Sequence, residues 1–194
     1  NWNLAVSGAS GAGLSTFCAV AQRLLRAYGA LSRDAFVVLD AARLAGDERA
    51  ADTIRAAFVE AAAGGALLID NAHELAYASA EGGPSSGREL AKLIFSETSA
   101  SRRSVCVMLA GSPAAMGTLL GGEQQNAFPN RVAVPDFTAE EVASVIRERA
   151  AAAGFAFEEG LEARLVKHIN DRFGDVGESG NIHLAESLFE EANN

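Results

Sequence analysis

Gly8-Ala9-Ser10-Gly11-Ala12-Gly13-Leu14-Ser15 is the stretch that decides the fold of this 194-residue chain. It fits the phosphate-binding pattern G-x-x-x-x-G-K-[ST] at every position except that of the lysine, where Leu14 stands. In such a loop the backbone N–H groups surround the phosphates of a nucleotide, and the lysine balances their negative charge. The stretch therefore predicts the fold of a nucleotide hydrolase whose main cation is missing.

The residues on either side of the glycine stretch support this interpretation. The short apolar run Leu4-Ala5-Val6 precedes it and is typical of a strand. After it, apolar residues recur at helical spacing up to Gly29, a residue type that commonly ends helices. These residues are Phe17, Val20, Ala21, Leu24, Leu25 and Tyr28. A strand, a glycine loop and a helix form the arrangement that the motif requires. The alternative is an unrelated turn between a strand and a helix.

Strand and helix patterns alternate along the chain as far as Pro135. Strands are predicted at 35–40, 66–70, 105–110 and 132–134, with amphipathic helices between them. This alternation predicts an α/β fold in which helices cover both faces of a parallel sheet. The pattern then changes, because Thr138 and Glu141 form a capping box and helices are predicted at 138–153, 160–172 and 181–192. We therefore expect an α/β P-loop-like core at 1–136 and a small helical lid at 137–194.

Composition and charge exclude several classes of protein. The formal net charge is −9, and a diffuse acidic surface argues against nucleic acid as the main partner. No apolar run approaches the ~20 residues of a membrane-spanning helix, and no signal-peptide pattern follows the first residue. Cys18 and Cys106 lie in apolar surroundings and indicate buried thiols. We expect an intracellular protein in a reducing compartment, either the cytoplasm or an organelle.

A second part of the nucleotide signature follows the predicted strand Leu67-Leu68-Ile69-Asp70. In P-loop ATPases such a strand ends in an aspartate that helps to hold Mg²⁺, and in many of them a glutamate that polarises water comes next. Here Asp70 is present and Asn71 takes the next position. Asp70 and Ser15 are the metal ligands if Mg²⁺ binds, whereas the amide of Asn71 cannot accept a proton. The alternative is that Asp70 simply ends a strand.

These motifs together resemble the CbxX/CfqX family of AAA+ proteins, which includes red-type Rubisco activases and related ring ATPases. The resemblance covers nearly the whole chain, and its order and spacing are specific although each part alone is modest. The matching stretches are 7–13, 64–72, 107–111, Phe128-Pro129-Asn130-Arg131, 135–141 and Gly180-Asn181. The resemblance implies an AAA+ P-loop core with a helical lid. It also implies that other protein subunits are partners, either AAA+ neighbours or a large assembly, with no nucleic acid and no membrane span.

Site residues follow from the same resemblance. The nucleotide-binding positions, vestigial or weak, are Gly8, Ala9, Ser10, Gly11, Ala12, Gly13, Leu14, Ser15, Thr16, Asp70 and Asn71. Arg131, just before the last predicted strand, matches an arginine finger that serves a neighbouring subunit in trans; the alternative is an ordinary surface cation. His183 stands where the family has a lid arginine; the alternative is a surface residue at a helix N-terminus. The stretch 45–49 matches a pore loop but contains no aromatic residue.

Two kinds of function remain open. In the first, the chain is a catalytically inactive AAA+ domain, a pseudo-ATPase retained as a structural or interaction module with no catalytic residue. In the second, it binds ATP or ADP with Mg²⁺, either as a nucleotide sensor or as a partner-activated ATPase subunit in a mixed ring. No cofactor is certain from the sequence. Leu14 and Asn71 favour the first hypothesis, and the intact glycine frame keeps the second open.

Overall fold

A computed structural model gives the structure of the chain and describes residues 2–76, 87–101, 104–174, 176–177 and 179–193. The chain divides into two compact units. Unit 1 comprises Asn1–Ser7 and Leu14–Ala133, and unit 2 comprises Gly8–Gly13 and Val134–Asn194. The glycine loop therefore belongs to the same unit as the C-terminal helices.

Unit 1 is built on a five-stranded parallel sheet, as the alternating pattern predicts. Its strands are β1 (Leu4–Ser7), β2 (Phe36–Asp40), β3 (Gly65–Asp70), β4 (Val105–Gly111) and β5 (Asn130–Ala133). They are arranged in the order β2-β3-β4-β1-β5, with every neighbouring pair parallel. Because parallel strands all end at the same edge, Asp40 and Asp70 fall opposite each other in the register of β2 and β3.

Helices flank this sheet and confirm the α/β class. They are α1 (Leu14–Ala27), α2 (Ala41–Leu44), α3 (Ala50–Ala61), α4 (Gly87–Ala100) and α5 (Pro113–Leu119), with short 3-10 turns at Ala72–Leu75 and Gly122–Asn126. Alternate side chains of β3 and β4 pack with α3 and α4 in one apolar core. β4 is buried along its whole length, as a continuous apolar run predicts for a central parallel strand.

The helix after the glycine loop is confirmed, but several of its apolar residues face solvent. Val20 is 49% exposed, Leu24 is 53% exposed and Tyr28, just beyond the helix, is 86% exposed. Cys18 and Gln22 are instead the fully buried residues of α1. Helical periodicity identifies the helix, but it does not show which row of side chains along the helix is buried.

The last strand differs from its predicted position by two residues. It spans Asn130–Ala133, so Arg131 lies within the strand and not just before it. β5 is an edge strand whose side chains are half-buried or exposed, and therefore it carries no strong apolar pattern. Its start is fixed by pairing with β1, where Asn130 is in register with Leu4. Gly87 begins α4.

Unit 2 contains three helices with a core of their own. They are α6 (Ala139–Ala152), α7 (Leu161–Phe173) and α8 (Ile182–Asn193), close to the predicted ranges. The capping box is confirmed, because Thr138 Oγ1 accepts from Glu141 N and Glu141 Oε2 accepts from Thr138 N. Val142, Ile169 and Leu184 pack between the helices. Across the described part of the chain, no helix has the length and apolar character needed to cross a bilayer.

We predict that both thiols of the chain are unreactive while it is folded. Cys18 and Cys106 are buried, and burial raises the pKa of each to about 12; the charge of Asp70 adds to the effect at Cys18. At pH 8 only about one molecule in 10⁴ would then carry a thiolate, the reactive form. An absorbance assay with an aromatic disulfide reagent should show labelling at least about 100-fold slower in the native chain than in urea. Immediate stoichiometric labelling of the native chain would contradict this.

Candidate functional site

The glycine loop has backbone angles that only glycine adopts without strain. Gly11 has φ +73° and Gly13 has φ +81°, both in the left-handed region. Between them, Ala12 N donates to the carbonyl of Ala9 at 3.2 Å and closes a tight turn. The spacing of glycines in the motif thus has a local conformational cause.

Asn181 holds this loop from within unit 2. The residue is fully buried and left-handed, with φ +54°. Its side-chain amide nitrogen donates to Ser10 O at 3.1 Å and to Asp136 Oδ1 at 2.9 Å, while its Oδ1 accepts from Phe137 N at 2.7 Å. Both amide hydrogens and one lone pair of the amide oxygen are therefore engaged. Asn181 lies in a stretch that resembles the family, but no local pattern in the sequence indicates that it contacts the glycine loop.

A second contact fixes the loop at Gly11. Ile182, the first residue of α8, donates from its backbone nitrogen to Gly11 O at 3.2 Å. A Cβ atom placed on Gly11 would overlap the carbonyl oxygen of Gly180. Because a trans peptide points its C=O and N–H in opposite directions, the N–H groups of Gly11 and Ala12 point away from these anchors. Contacts with residues at the start of α8 thus hold the carbonyls of Ser10 and Gly11.

His183, at the predicted lid position, is exposed on α8. Its Nδ1 lies 3.2 Å from Glu186 Oε2, and Arg149 contacts the other oxygen of the same carboxylate at 2.7 Å. The hydrogen bond with His183, together with the charge of Arg149, lowers the pKa of Glu186. The side chain of His183 is therefore engaged along its own helix.

In unit 1 the two candidate magnesium ligands lie together. Ser15 Oγ donates to Asp70 Oδ2 at 2.6 Å, although the residues are 55 positions apart. The other carboxylate oxygen of Asp70 accepts from Asn71 N at 3.0 Å. A serine hydroxyl and an aspartate are the pair that holds Mg²⁺ in P-loop NTPases, so these residues fit the ion. Leu14 and Thr16 flank Ser15 at the start of α1, Leu14 partly buried and Thr16 exposed.

Asn71 is tied to the neighbouring strand. It is left-handed, with φ 51° and ψ 32°, and its side-chain nitrogen donates to Asp40 Oδ1 at 3.0 Å. That carboxylate oxygen also accepts from Ala42 N at 3.0 Å and so caps α2. At the position where many P-loop ATPases have a catalytic carboxylate, the chain therefore has an amide that serves as a hydrogen-bond donor.

Arg131 is exposed and extends from the edge of the sheet. It is in register with Ala5 of β1, and its Nη2 lies 3.5 Å from Leu120 O. With residues of β1 and α5 it lines a shallow cavity of about 150 Å³. These contacts leave its role towards a neighbouring subunit a prediction.

The stretch matched to a pore loop connects α2 and α3. Ala45 ends α2, Gly46 has φ +87°, and Asp47 Oδ1 accepts from Arg49 N at 2.9 Å. Its side chains are small or charged. The connection therefore presents no aromatic surface of the kind expected of a threading loop.

We predict that unit 2 depends on the amide of Asn181. Asn181→Ala would leave the Phe137 N–H and the carbonyl of Ser10 without these partners, which should cost about 2–4 kcal/mol of unfolding free energy. Urea denaturation followed by circular dichroism would measure the loss. Asn170→Ala, at an exposed position of α7 in the same unit, is the matched control and should change little. A loss below about 0.5 kcal/mol for Asn181→Ala would contradict the assignment.

Comparison with known proteins agrees with the architecture. Among solved structures, the chain is similar to the FIGL-1 AAA domain in complex with ADP, with a TM-score of 0.59 and 14% sequence identity. The match covers 78% of this chain and 49% of that one, so this chain spans about half the length of that structure. No family model and no curated protein matches the sequence, and the narrower CbxX/CfqX resemblance is not confirmed. At this identity the likeness shows the fold alone: the chain has the fold of an AAA+ domain.

Proposed function

We propose that this chain is a catalytically inactive AAA+ domain that acts as a structural or assembly module in a larger protein or complex. The observation that carries the proposal is the state of Asn71. Its side chain has no carboxylate and donates its amide hydrogen to Asp40. An amide at this position cannot take a proton from an attacking water molecule.

Leu14 supports the same proposal from the other end of the motif. It is the first residue of α1 and carries a hydrocarbon where P-loop proteins have an ammonium group. Phosphate binding by such a loop then rests on backbone N–H groups and the helix N-terminus, without the balancing cation. Loss of the cation and of the base together is expected of a site that no longer hydrolyses nucleotide.

Two of the retained glycines, Gly11 and Gly13, have a conformational explanation that requires no nucleotide, because both are left-handed. Gly11 lies against the carbonyl of Gly180, and the carbonyls of Ser10 and Gly11 accept hydrogen bonds from Asn181 and Ile182. A chain that uses this loop only as part of the unit 2 fold would keep both of these glycines. The glycine frame is therefore compatible with a module retained for its shape.

One contact favours the second candidate function, a nucleotide-binding sensor or a partner-activated subunit. Ser15 and Asp70 keep the hydroxyl–carboxylate pair at 2.6 Å and would be the residues that hold Mg²⁺. When bound, the ion would neutralise phosphate charge and partly replace the missing lysine. Arg131 is exposed and would serve a neighbour in trans.

The isolated chain should show no steady-state ATP hydrolysis. Supplying one missing charged group changes phosphoryl-transfer rates by about 10³–10⁵-fold in enzymes of this type, so losing two should bring the rate below detection. Phosphate release would be measured for the wild type, for Leu14→Lys with Asn71→Glu, and for that double variant with Asp70→Asn as control. Turnover near ~1 s⁻¹ by the wild-type chain would refute the proposal.

Nucleotide binding, measured separately, should be weak. Calorimetry with ATP and Mg²⁺ should give a Kd above about 10 μM, and Leu14→Lys should tighten it because an ammonium group is restored. Submicromolar binding by the wild-type chain would show that other residues compensate for Leu14. Such tight binding would favour the second candidate function, a nucleotide-binding sensor.

A substitution that places a large side chain in the glycine loop should distinguish a structural role of the chain from a nucleotide-dependent role. Gly13→Arg is suitable because a Cβ there meets no atom within 4 Å, and Gly29→Arg is a matched control with the same left-handed backbone and the same open surroundings. Each strained substitution should cost about 1–2 kcal/mol. In co-purification from the native source, a structural module should keep its partners in both variants. Loss of partners with Gly13→Arg alone, at equal thermal stability, would show nucleotide-dependent assembly.

A further inference from the structure

Unit 2 contains an apolar groove that the proposed function does not explain. It has a volume of about 280 Å³ and lies among α6, α7, α8 and the connection between α6 and α7. Its main lining residues are Ile146, Phe155, Phe157, Leu161, Leu165 and Phe189. This volume is near the lower end of the range for ligand pockets, and the lining is hydrocarbon and aromatic. The space suits one or two large apolar side chains.

The end of α6 fixes the backbone of one aromatic residue that lines this groove. Phe155 N donates to Ala150 O at 2.8 Å and Gly154 N donates to Ala151 O at 3.0 Å, which is the hydrogen-bond pattern of a Schellman motif. Gly154 supplies the left-handed residue that the motif requires, with φ +86°. Phe155 nevertheless remains 55% exposed. Phe155 is one part of a contiguous apolar lining, and contiguous exposed apolar surface marks interaction sites.

Unit 2, which contains the groove, is strongly acidic. The sequence of unit 2 contains thirteen Asp and Glu against five Lys and Arg, a net charge of −8 out of −9 for the whole chain. Glu158 and Glu159 are exposed and lie between the lining residues Phe157 and Leu161. Two of the five cations, Arg147 and Arg149, are already paired with carboxylates at 2.7 Å. Acidic surroundings repel phosphate-rich surfaces such as nucleic acid and anionic lipid.

We propose that this groove docks a basic amphipathic segment of a partner protein, with a large apolar residue in the groove and Lys or Arg facing the acidic side chains. Helices bind apolar grooves in this way, through side chains on one face. The proposal rests on the proposed function and deepens it, since it names the chemistry of a partner that the module assembles with. The occupant is identified by charge complementarity and by the apolar lining.

The probe is a fluorescein-labelled amphipathic 14-residue peptide of Leu and Lys, titrated with the full chain and followed by fluorescence anisotropy. We expect saturable binding that weakens at least about fivefold in Phe155→Ser. Val59→Ser removes a 75% exposed apolar side chain from α3 of unit 1 and is the matched control, with unchanged affinity. Glu158→Lys with Glu159→Lys should also weaken binding, and the effect should shrink with added salt.

Three results would overturn the proposal: no saturable binding up to about 100 μM, equal affinity in Phe155→Ser, or equal affinity for a peptide with Glu in place of Lys. Preferential binding of a small apolar dye in the same groove, without peptide binding, would show a small-molecule site and would also overturn it. These titrations contain no nucleotide. Measured ATP turnover would therefore refute the proposed function without changing the peptide affinity. Equal peptide affinity in the wild type and Phe155→Ser would refute only the proposal that the groove binds the peptide.

Discussion

The buried amide of Asn181 is the interaction on which the conformation of the glycine loop depends. It joins the carbonyl of Ser10 to the residues that begin the C-terminal helices, although Ser10 and Asn181 are 171 positions apart. The backbone nitrogen of Asn181 donates to Val176 O at 3.0 Å. A fully buried side-chain amide is costly unless its groups are paired. The same contacts that satisfy this amide therefore also specify the path of the glycine loop.

A second polar set stands at the carboxyl edge of the sheet. Ser15 bonds to Asp70, Asn71 bonds to Asp40, and the backbone nitrogen of Asn71 bonds to Asp70. Each carboxylate thus has a partner within unit 1. Such a network is complete without a catalytic group, while the Ser15–Asp70 pair preserves the atoms that a magnesium ion would need. An inactive structural module requires only the complete network. A nucleotide-binding subunit requires the Ser15–Asp70 pair.

The sequence predicts the parts of this fold that have strong local patterns. The buried runs of β3 and β4 and the capping box at Thr138 are examples, because burial on both faces and helix capping leave short-range signals. The exposed side of α1 and the start of β5 were not predictable in the same way. Both depend on which neighbours cover a surface, and periodicity does not contain that information.

The sequence shows which motif residues of the candidate site are replaced. It does not show which residues form hydrogen bonds at the site. The missing lysine and glutamate follow from the motif at Leu14 and Asn71. The contact from Asn71 to Asp40 and the one from Asn181 to Ser10 join residues 31 and 171 positions apart. Non-local hydrogen bonds of this kind arise from tertiary packing and leave no fixed spacing in a sequence.

The exposed apolar residues at and just beyond α1 affect how the chain behaves in solution. Val20, Leu24 and Tyr28 are spaced four residues apart, the helical repeat, and about half or more of each side chain is in water. At low ionic strength the net charge of −9 keeps molecules apart. At about 1 M salt the Debye length falls to about 3 Å, and this repulsion no longer reaches across a hydration layer. We therefore expect the purified chain to associate through these hydrocarbon surfaces more readily in concentrated salt than in dilute buffer.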